Sequence, residues 1–313
     1  MSLQQLEYVM ALAREKSFSK AASMCFVSQA TLSMMIKKLE NELGVLIFDR
    51  SRLPITVTPH GQNLIDQTQR ILVETKLLQS IAAELRGEIM GEVKIGIIPT
   101  LAPYLLPLFI KPFCAQFPDL RVDIKDLTTD DIIDQLKKGY LDIGLCATPL
   151  NEPGILEETL FYEEFFVYAA TSEPLPNKKY ILPEHINPEH LWLLEEGHCM
   201  RNQLINICQL QADHANKIQF HYRAGSIETL INLVDHCGGI TIIPKLTTLG
   251  LSPVQKLNIR HFNAPPPVRE ISIVYHQNNP KTKLMKQMKN SIMQLISKKV
   301  PANQKGLRIV EID

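Results

Sequence analysis

SFSKAASMCFVSQATLSMMIKKLENELGVLIFDRS, residues 17–51, reads as a short helix, a break near Phe26–Val27 and a longer helix. Ser28 is placed to cap the longer helix and Gly44 to stop it. Upstream, Leu3, Leu6, Val9, Met10 and Ala13 keep helical spacing, so a further helix precedes the pair. Downstream, VLIFDRSRLPITVTP supplies short β-prone pieces around a basic turn. The expectation for residues 1–58 is a winged helix-turn-helix.

Thr58 and Pro59 then open a long helix, a cap followed by proline at the first helical position. Leu64, Thr68, Ile71, Thr75, Leu78, Ala82 and Leu85 alternate four and three apart, the spacing of a seam that pairs with another helix. A helix of nearly thirty residues is about 45 Å long, too long for a 55-residue domain to cover. Residues 59–88 are therefore expected to join two copies of the chain, with Ile71, Leu78 and Leu85 in the seam. The competing reading is a single helix laid over one core.

From residue 89 onward the pattern becomes α/β. VKIGIIP, LRVDIKDL, YLDIGLC, LWLLEEG, IQFHYRA, GGITIIP and VREISIVYH are expected as strands. PYLLPLFIKPFCAQFP, TTDDIIDQLKKG, a segment from Cys199 to Leu210, SIETLINLVDHC and KTKLMKQMKNSIMQLISKK are expected as helices. Two lobes follow, one of residues 92–163 plus 268–300 and one of residues 164–267, with a cleft between them suited to a ligand. The tail PANQKGLRIVEID is expected to be peripheral.

Whole-chain quantities bound the class without naming a task. The 313 residues are 45% hydrophobic and 21% charged, as in soluble globular proteins. Glu7, Arg14, Glu15 and Lys16 interrupt the first apolar pattern, and no run of 18 apolar residues occurs, so neither signal peptide nor membrane span is expected. That points to the cytoplasm, where six cysteines are not a disulfide framework. Net charge is zero, and seven Lys/Arg stand against five Asp/Glu in the first 60 residues, which neither suggests nor excludes nucleic acid.

Residues 17–51 resemble the winged helix-turn-helix of LysR-type transcriptional regulators, through Ala21–Ala22, Ser28–Gln29, Leu32–Ser33, Ile36, Leu39–Glu40, Leu43–Gly44 and Phe48. Ala30 departs from the family, which often has proline there. Met34–Met35 departs too, where polar or basic residues are common. The resemblance runs over nearly the full chain and implies a linker helix and a two-lobed, periplasmic-binding-protein-like α/β regulatory domain over residues 89–313. EEGHCMRNQLINIC, residues 195–208, is similar to the hydrogen-peroxide-sensing OxyR subgroup of that family, as are IPTLAPYLLP, LTTD and VREISIVYH.

That resemblance implies roles residue by residue. Cys199 is the thiol oxidised to a sulfenic acid, and Cys208 is its resolving partner. Thr100, Thr129, His198, Arg201 and Arg269 surround the peroxide or activate the thiolate. A sensor thiol needs a lowered pKa, and a helix start beside Arg201 and His198 favours an anion. The competing reading makes Cys199 an ordinary helix-start residue. Nine residues of continuous helix span about 13–14 Å and turn the two side chains to opposite faces. A disulfide needs Cα atoms within about 7 Å, so closing it must remodel the segment. Cys25, Cys114, Cys146 and Cys237 lie in apolar periodic segments and are expected in the core.

Base edges are assigned to Gln29, Thr31 and Ser33, and phosphates to Lys37, Arg50 and Arg52, with Ser28 also expected in the DNA-binding surface. Expected partners are double-stranded promoter DNA, further copies of the chain (a tetramer by resemblance), RNA polymerase, and a reductant such as glutaredoxin or thioredoxin. No metal, cofactor or membrane is expected, hydrogen peroxide being the signal. A regulator sensing a small metabolite in the cleft, its cysteines incidental, is the alternative. A thiol peroxidase is disfavoured, since an enzyme has no use for a helix-turn-helix.

Overall fold

A computed structural model describes residues 1–51, 53–86, 89–174, 180–195, 199–208, 224–279, 281–296 and 308–310. The chain forms two units, Met1–Arg86 and Gly87–Asp313.

In the first unit each main helix begins at a hydroxyl. Ser2 accepts from the Gln5 backbone N–H ahead of α1 (Leu3–Glu15), and α2 (Phe18–Met24) follows. The break is a turn in which Phe26 takes a φ of 56°. Ser28 Oγ then accepts from the Thr31 backbone N–H at 3.1 Å and starts α3 (Gln29–Leu43). Gly44 stops α3 at a φ of 69°, a left-handed position that a side chain would oppose. Val9, Leu12, Ala21, Leu32, Ile36, Leu39, Ile47 and Phe48 form the core. The wing is β1 (Phe48–Asp49) paired antiparallel with β2 (Thr56–Val57).

Thr58 Oγ1 accepts from the Gly61 backbone N–H at 2.9 Å and opens α4 (Pro59–Leu85). Its first turns lie on the unit's own core. Ile65 and Thr68 are buried, and Leu64, Ile71 and Leu72 pack half-buried beside them. Ile71, expected in an intermolecular seam, is thus already used within the unit. Leu78, two turns further, is 68% exposed. The Leu85 side chain lies outside the described residues.

The second unit holds one curled mixed sheet. β3 (Gly91–Ile97) runs parallel to both β4 (Leu120–Asp126) and β5 (Ile143–Thr148). α5 (Ala102–Gln116) and α6 (Thr129–Lys137) are the connecting helices. A 15-residue strand, β6 (Ile155–Ala169), follows. β7 (Tyr180–Ile181), α7 (Cys199–Cys208), α8 (Ile227–Cys237), β8 (Ile240–Pro244), α9 (Pro253–Lys256) and β9 (Ile259–Phe262) come next. The chain returns through β10 (Pro267–His276), α10 (Thr282–Ile296) and β11 (Arg308–Ile309).

The sheet order is β4-β3-β5-β10-β6-β9-β7, with β8 also on β6 and β11 also on β10. Residues 155–164 of β6 pair with β10, whereas residues 165–169 pair with β8 and β9. One strand therefore enters both lobes. Each lobe has its own core, one around Ile95, Phe109, Leu145 and Ile273, the other around Val167, Leu204, Leu230 and Ile242.

Several segments differ from the sequence expectation, β7, α9 and β9 among them. β6 was not among the expected strands, because Glu157, Glu158, Glu163 and Glu164 interrupt its apolar run. Among its described residues, 191–195, LWLLEEG forms only isolated bridges, Leu191 to Ile240 and Leu194 to Ala224, after short 3-10 turns that each begin with proline. Most of IQFHYRA lies outside the described residues. The tail is more than peripheral: β11 pairs with β10, and Val310 is buried. Among the described residues no helix is long and apolar enough to cross a membrane.

Candidate functional site

Cys199 is the first residue of α7, where backbone N–H groups have no partner within the helix. The side chain is buried, and its Sγ lies 2.6 Å from Thr129 Oγ1. Thr129 can make that contact because Thr128 caps α6, its Oγ1 accepting from the Asp131 backbone N–H at 3.2 Å. The helix cap is thus Thr128, which leaves the Thr129 hydroxyl available to Cys199.

Arg269, on β10, is fully buried and is satisfied from two sides. Its Nε donates to Glu163 Oε2 at 2.9 Å, and its Nη2 lies 2.8 Å from the same oxygen. On the other side Nη1 donates to Thr100 Oγ1 at 3.0 Å and Nη2 to the Thr100 carbonyl at 3.2 Å. Glu163 is buried as well, and its second oxygen accepts from the Leu246 backbone N–H at 2.7 Å. A buried charge is tolerated only when paired and hydrogen-bonded like this. Glu163 was not among the sequence candidates.

The electrostatics of Cys199 run opposite to expectation. Burial is the largest influence and pushes the thiol above the ordinary cysteine range. The Thr129 hydroxyl, the residue's own backbone N–H and the Arg269 charge all pull it down, without reversing the direction. Asp130 pushes it further up. The thiol expected to be lowered is therefore raised, because desolvation outweighs the nearby donors.

Arg201 makes a contact with the backbone. Its Nη1 donates to the Leu194 carbonyl at 2.9 Å, tying α7 to the chain that precedes it. His198 lies outside the described residues. Cys208 ends α7 half-buried, and burial pushes its thiol up to about 12. Cys199 and Cys208 are both free. Of the four cysteines expected in the core, Cys146 is buried and Cys25 and Cys114 are half-buried. Cys237 is exposed, since it is the last residue of α8.

On the helix-turn-helix, Gln29, Thr31 and Lys37 are exposed and Ser33 is half-buried. Ser28 Oγ is occupied as the α3 cap and also meets Thr31 Oγ1 at 2.8 Å. Arg50, expected at a phosphate, is paired within the unit. Its Nη2 donates to Glu40 Oε2 at 2.5 Å, and its guanidinium lies 5.5 Å from the Phe18 ring centre. Glu40 is buried and accepts from the backbone N–H groups of Ile47 and Phe48, so this pair anchors the start of the wing. Arg52 lies outside the described residues. Among the described residues no group of three or more His, Cys, Asp or Glu is placed to hold a metal.

Comparison with known proteins adds an independent line. Residues 3–62 match the family described as bacterial regulatory helix-turn-helix protein, lysR family. Residues 86–295 match the LysR substrate binding domain. A hydrogen peroxide-inducible genes activator of Haemophilus influenzae is 35% identical over 280 residues, covering 90% of this chain and 92% of that protein. The DNA-binding transcriptional dual regulator OxyR of Escherichia coli K12 is 34% identical over 296 residues, covering 93% and 95%. Among solved structures, a full-length OxyR variant from Pseudomonas aeruginosa superposes with a TM-score of 0.76 at 31% identity, covering 94% of this chain and 98% of that one. A hydrogen-peroxide-bound OxyR mutant from Corynebacterium glutamicum gives a TM-score of 0.61 at 28% identity, covering 96% and 95%.

Proposed function

Since this chain belongs to the LysR family of bacterial DNA-binding regulators, we propose that it is a transcriptional activator switched by hydrogen peroxide, with Cys199 as the sensing thiol. The observation that carries this reading is the 2.6 Å contact between Cys199 Sγ and Thr129 Oγ1, in a buried site that feels the Arg269 charge. The activators of H. influenzae and E. coli named above support the peroxide signal.

The chemistry follows from the site. Cys199 Sγ attacks one peroxide oxygen, the O–O bond breaks, and the sulfur becomes a sulfenic acid. The thiol proton leaves with the second oxygen as water, so atoms balance as thiol plus peroxide giving sulfenic acid plus water. Thr129 is placed to pass that proton, its hydroxyl being both donor and acceptor. Arg269 and Thr100 stabilise negative charge as the O–O bond opens.

Cys208 then attacks the sulfenic sulfur, a second water leaves, and a Cys199–Cys208 disulfide forms. The event happens once per signal, and a cytoplasmic dithiol such as glutaredoxin or thioredoxin returns both thiols. This is a switch rather than a catalyst. The oxidised regulatory domain changes promoter contacts and so recruits RNA polymerase. The test is a thiol count by mass spectrometry before and after one equivalent of hydrogen peroxide. Loss of two hydrogens across the 199 and 208 peptides is expected. An inert Cys199 would falsify the reading and favour a metabolite sensor.

A further inference from the structure

The two faces of α3 differ in kind. Leu32, Ile36 and Leu39 are buried against the unit's core. Met34 stands two residues from both Leu32 and Ile36, roughly 200° around the helix from each, so it centres the opposite face. It is 63% exposed. Ala30, one turn before it, and Lys37 and Lys38, one turn after it, are exposed on that face too. Methionine contributes little to the fold here, and the middle of the helix that DNA-binding requires is apolar.

In the major groove an α-helix meets base edges of fixed chemistry. Guanine, cytosine and adenine present acceptors and donors, and thymine alone presents a methyl group. A methionine has no donor and only a weakly accepting sulfur, so beside guanine or cytosine it strips water from polar edges and replaces nothing. Beside thymine it covers the C5 methyl with a flexible, polarisable chain. We propose that Met34, supported by the Ala30 methyl, reads thymine methyl groups and so fixes the T positions of this chain's operator. Lys37 and Lys38 follow it toward the phosphates and set its depth in the groove. The inference rests on the DNA-binding reading of α3 and goes beyond the base contacts assigned to Gln29, Thr31 and Ser33.

The test uses the full-length protein and a random-sequence duplex pool. Bound duplexes are selected, and each thymine of the best one is then replaced singly by deoxyuridine, which removes only the methyl. At one or two positions per half-site the parent is expected to lose about fourfold in affinity, the worth of one buried carbon group. Met34→Ala, at an exposed position, should fold as the parent does and bind thymine and uracil duplexes alike. Uracil tolerated everywhere by the parent, or an equal loss in Met34→Ala, overturns the inference while leaving DNA-binding intact. A pool from which nothing is selected overturns DNA-binding and the inference with it.

Discussion

Arg269 and Glu163 face each other as directly paired residues of β10 and β6, both fully buried, with Arg269 Nη2 2.8 Å from Glu163 Oε2. The pair does more than balance charge. It orients Nη1 toward Thr100 and leaves the guanidinium acting on Cys199. Glu163 also holds the Leu246 backbone, so one carboxylate joins β6, β10 and the turn after β8.

Glu163→Gln keeps the shape and an acceptor but strands the Arg269 charge. Removing one partner of a buried pair costs about 3–5 kcal/mol. The urea midpoint of the variant should fall accordingly with little change in slope. A midpoint equal to the parent's would mean that water or another group compensates Arg269.

Thr129→Val removes the hydroxyl that pulls the Cys199 thiol down while keeping the volume. With burial then less opposed, ionisation of Cys199 should move to higher pH. The rate of iodoacetamide trapping at Cys199 against pH reads this directly, and the curve for the variant should lie above the parent's on the pH axis. Peroxide oxidation should slow in parallel, with DNA affinity of the thiol form unchanged. Superimposable trapping curves would remove Thr129 from the site.

Buried thiols also link folding to alkaline pH. Cys199 and Cys208 both ionise at higher pH folded than unfolded, Cys208 at about 12. The unfolded chain therefore releases these protons first, near pH 8.5. The stability they contribute is complete below that value and is lost as pH rises toward the folded pKa values. Each thiol gives a slope of at most about 1.4 kcal/mol per pH unit. Cys208→Ala should flatten the fall in urea midpoint between pH 8.5 and 10. A variant as alkali-sensitive as the parent would show that Cys208 ionises freely when folded.

The sequence made some of this legible and concealed the rest for physical reasons. Caps at Ser28 and Thr58 and the stop at Gly44 are local, so they could be read directly and recur in the structure. β6 is not local in this sense: its glutamates look exposed until Arg269 is known to lie opposite Glu163. Arg201 stands two residues from Cys199 in sequence yet bonds the Leu194 carbonyl, whereas Arg269, 70 residues away, supplies the charge. The raised Cys199 thiol was equally hidden, because burial depends on both lobes and leaves no mark on the Gly-His-Cys-x-Arg motif.

Leu78 tests self-association. Ile71 packs on its own unit, while Leu78 stands exposed on α4 with Ile81 near it. Leu78→Glu should leave the first unit folded, because the side chain touches no core of its own, yet place an unpaired charge at a helix-pairing surface. Sedimentation should show a smaller assembly, and binding to paired half-sites should weaken. A variant that sediments as the parent would put the pairing surface elsewhere.

The last prediction concerns what the disulfide does to α7. Cys199 and Cys208 are the first and last residues of this helix, and a continuous helix of that length holds them about 13–14 Å apart. Closing the bond must unwind it. The helix also carries Gln203, fully buried, whose Nε2 donates to the Val310 carbonyl at 3.0 Å. Val310 in turn donates its backbone N–H to the Val268 carbonyl at 2.9 Å, next to Arg269. Unwinding α7 withdraws Gln203, so β11 should loosen from β10 together with it. Hydrogen exchange should therefore rise at α7 amides and at Arg308–Val310 in the same oxidation step. Cys199→Ser should show neither change at any peroxide dose. Cys208→Ser should accumulate a sulfenic acid at Cys199, trapped by dimedone, with α7 and β11 still protected. Promoter footprints of the three proteins, with and without peroxide, then connect the step to DNA. A confirmed 199–208 disulfide that leaves β11 protected and the footprint unchanged would separate the chemistry from any switch.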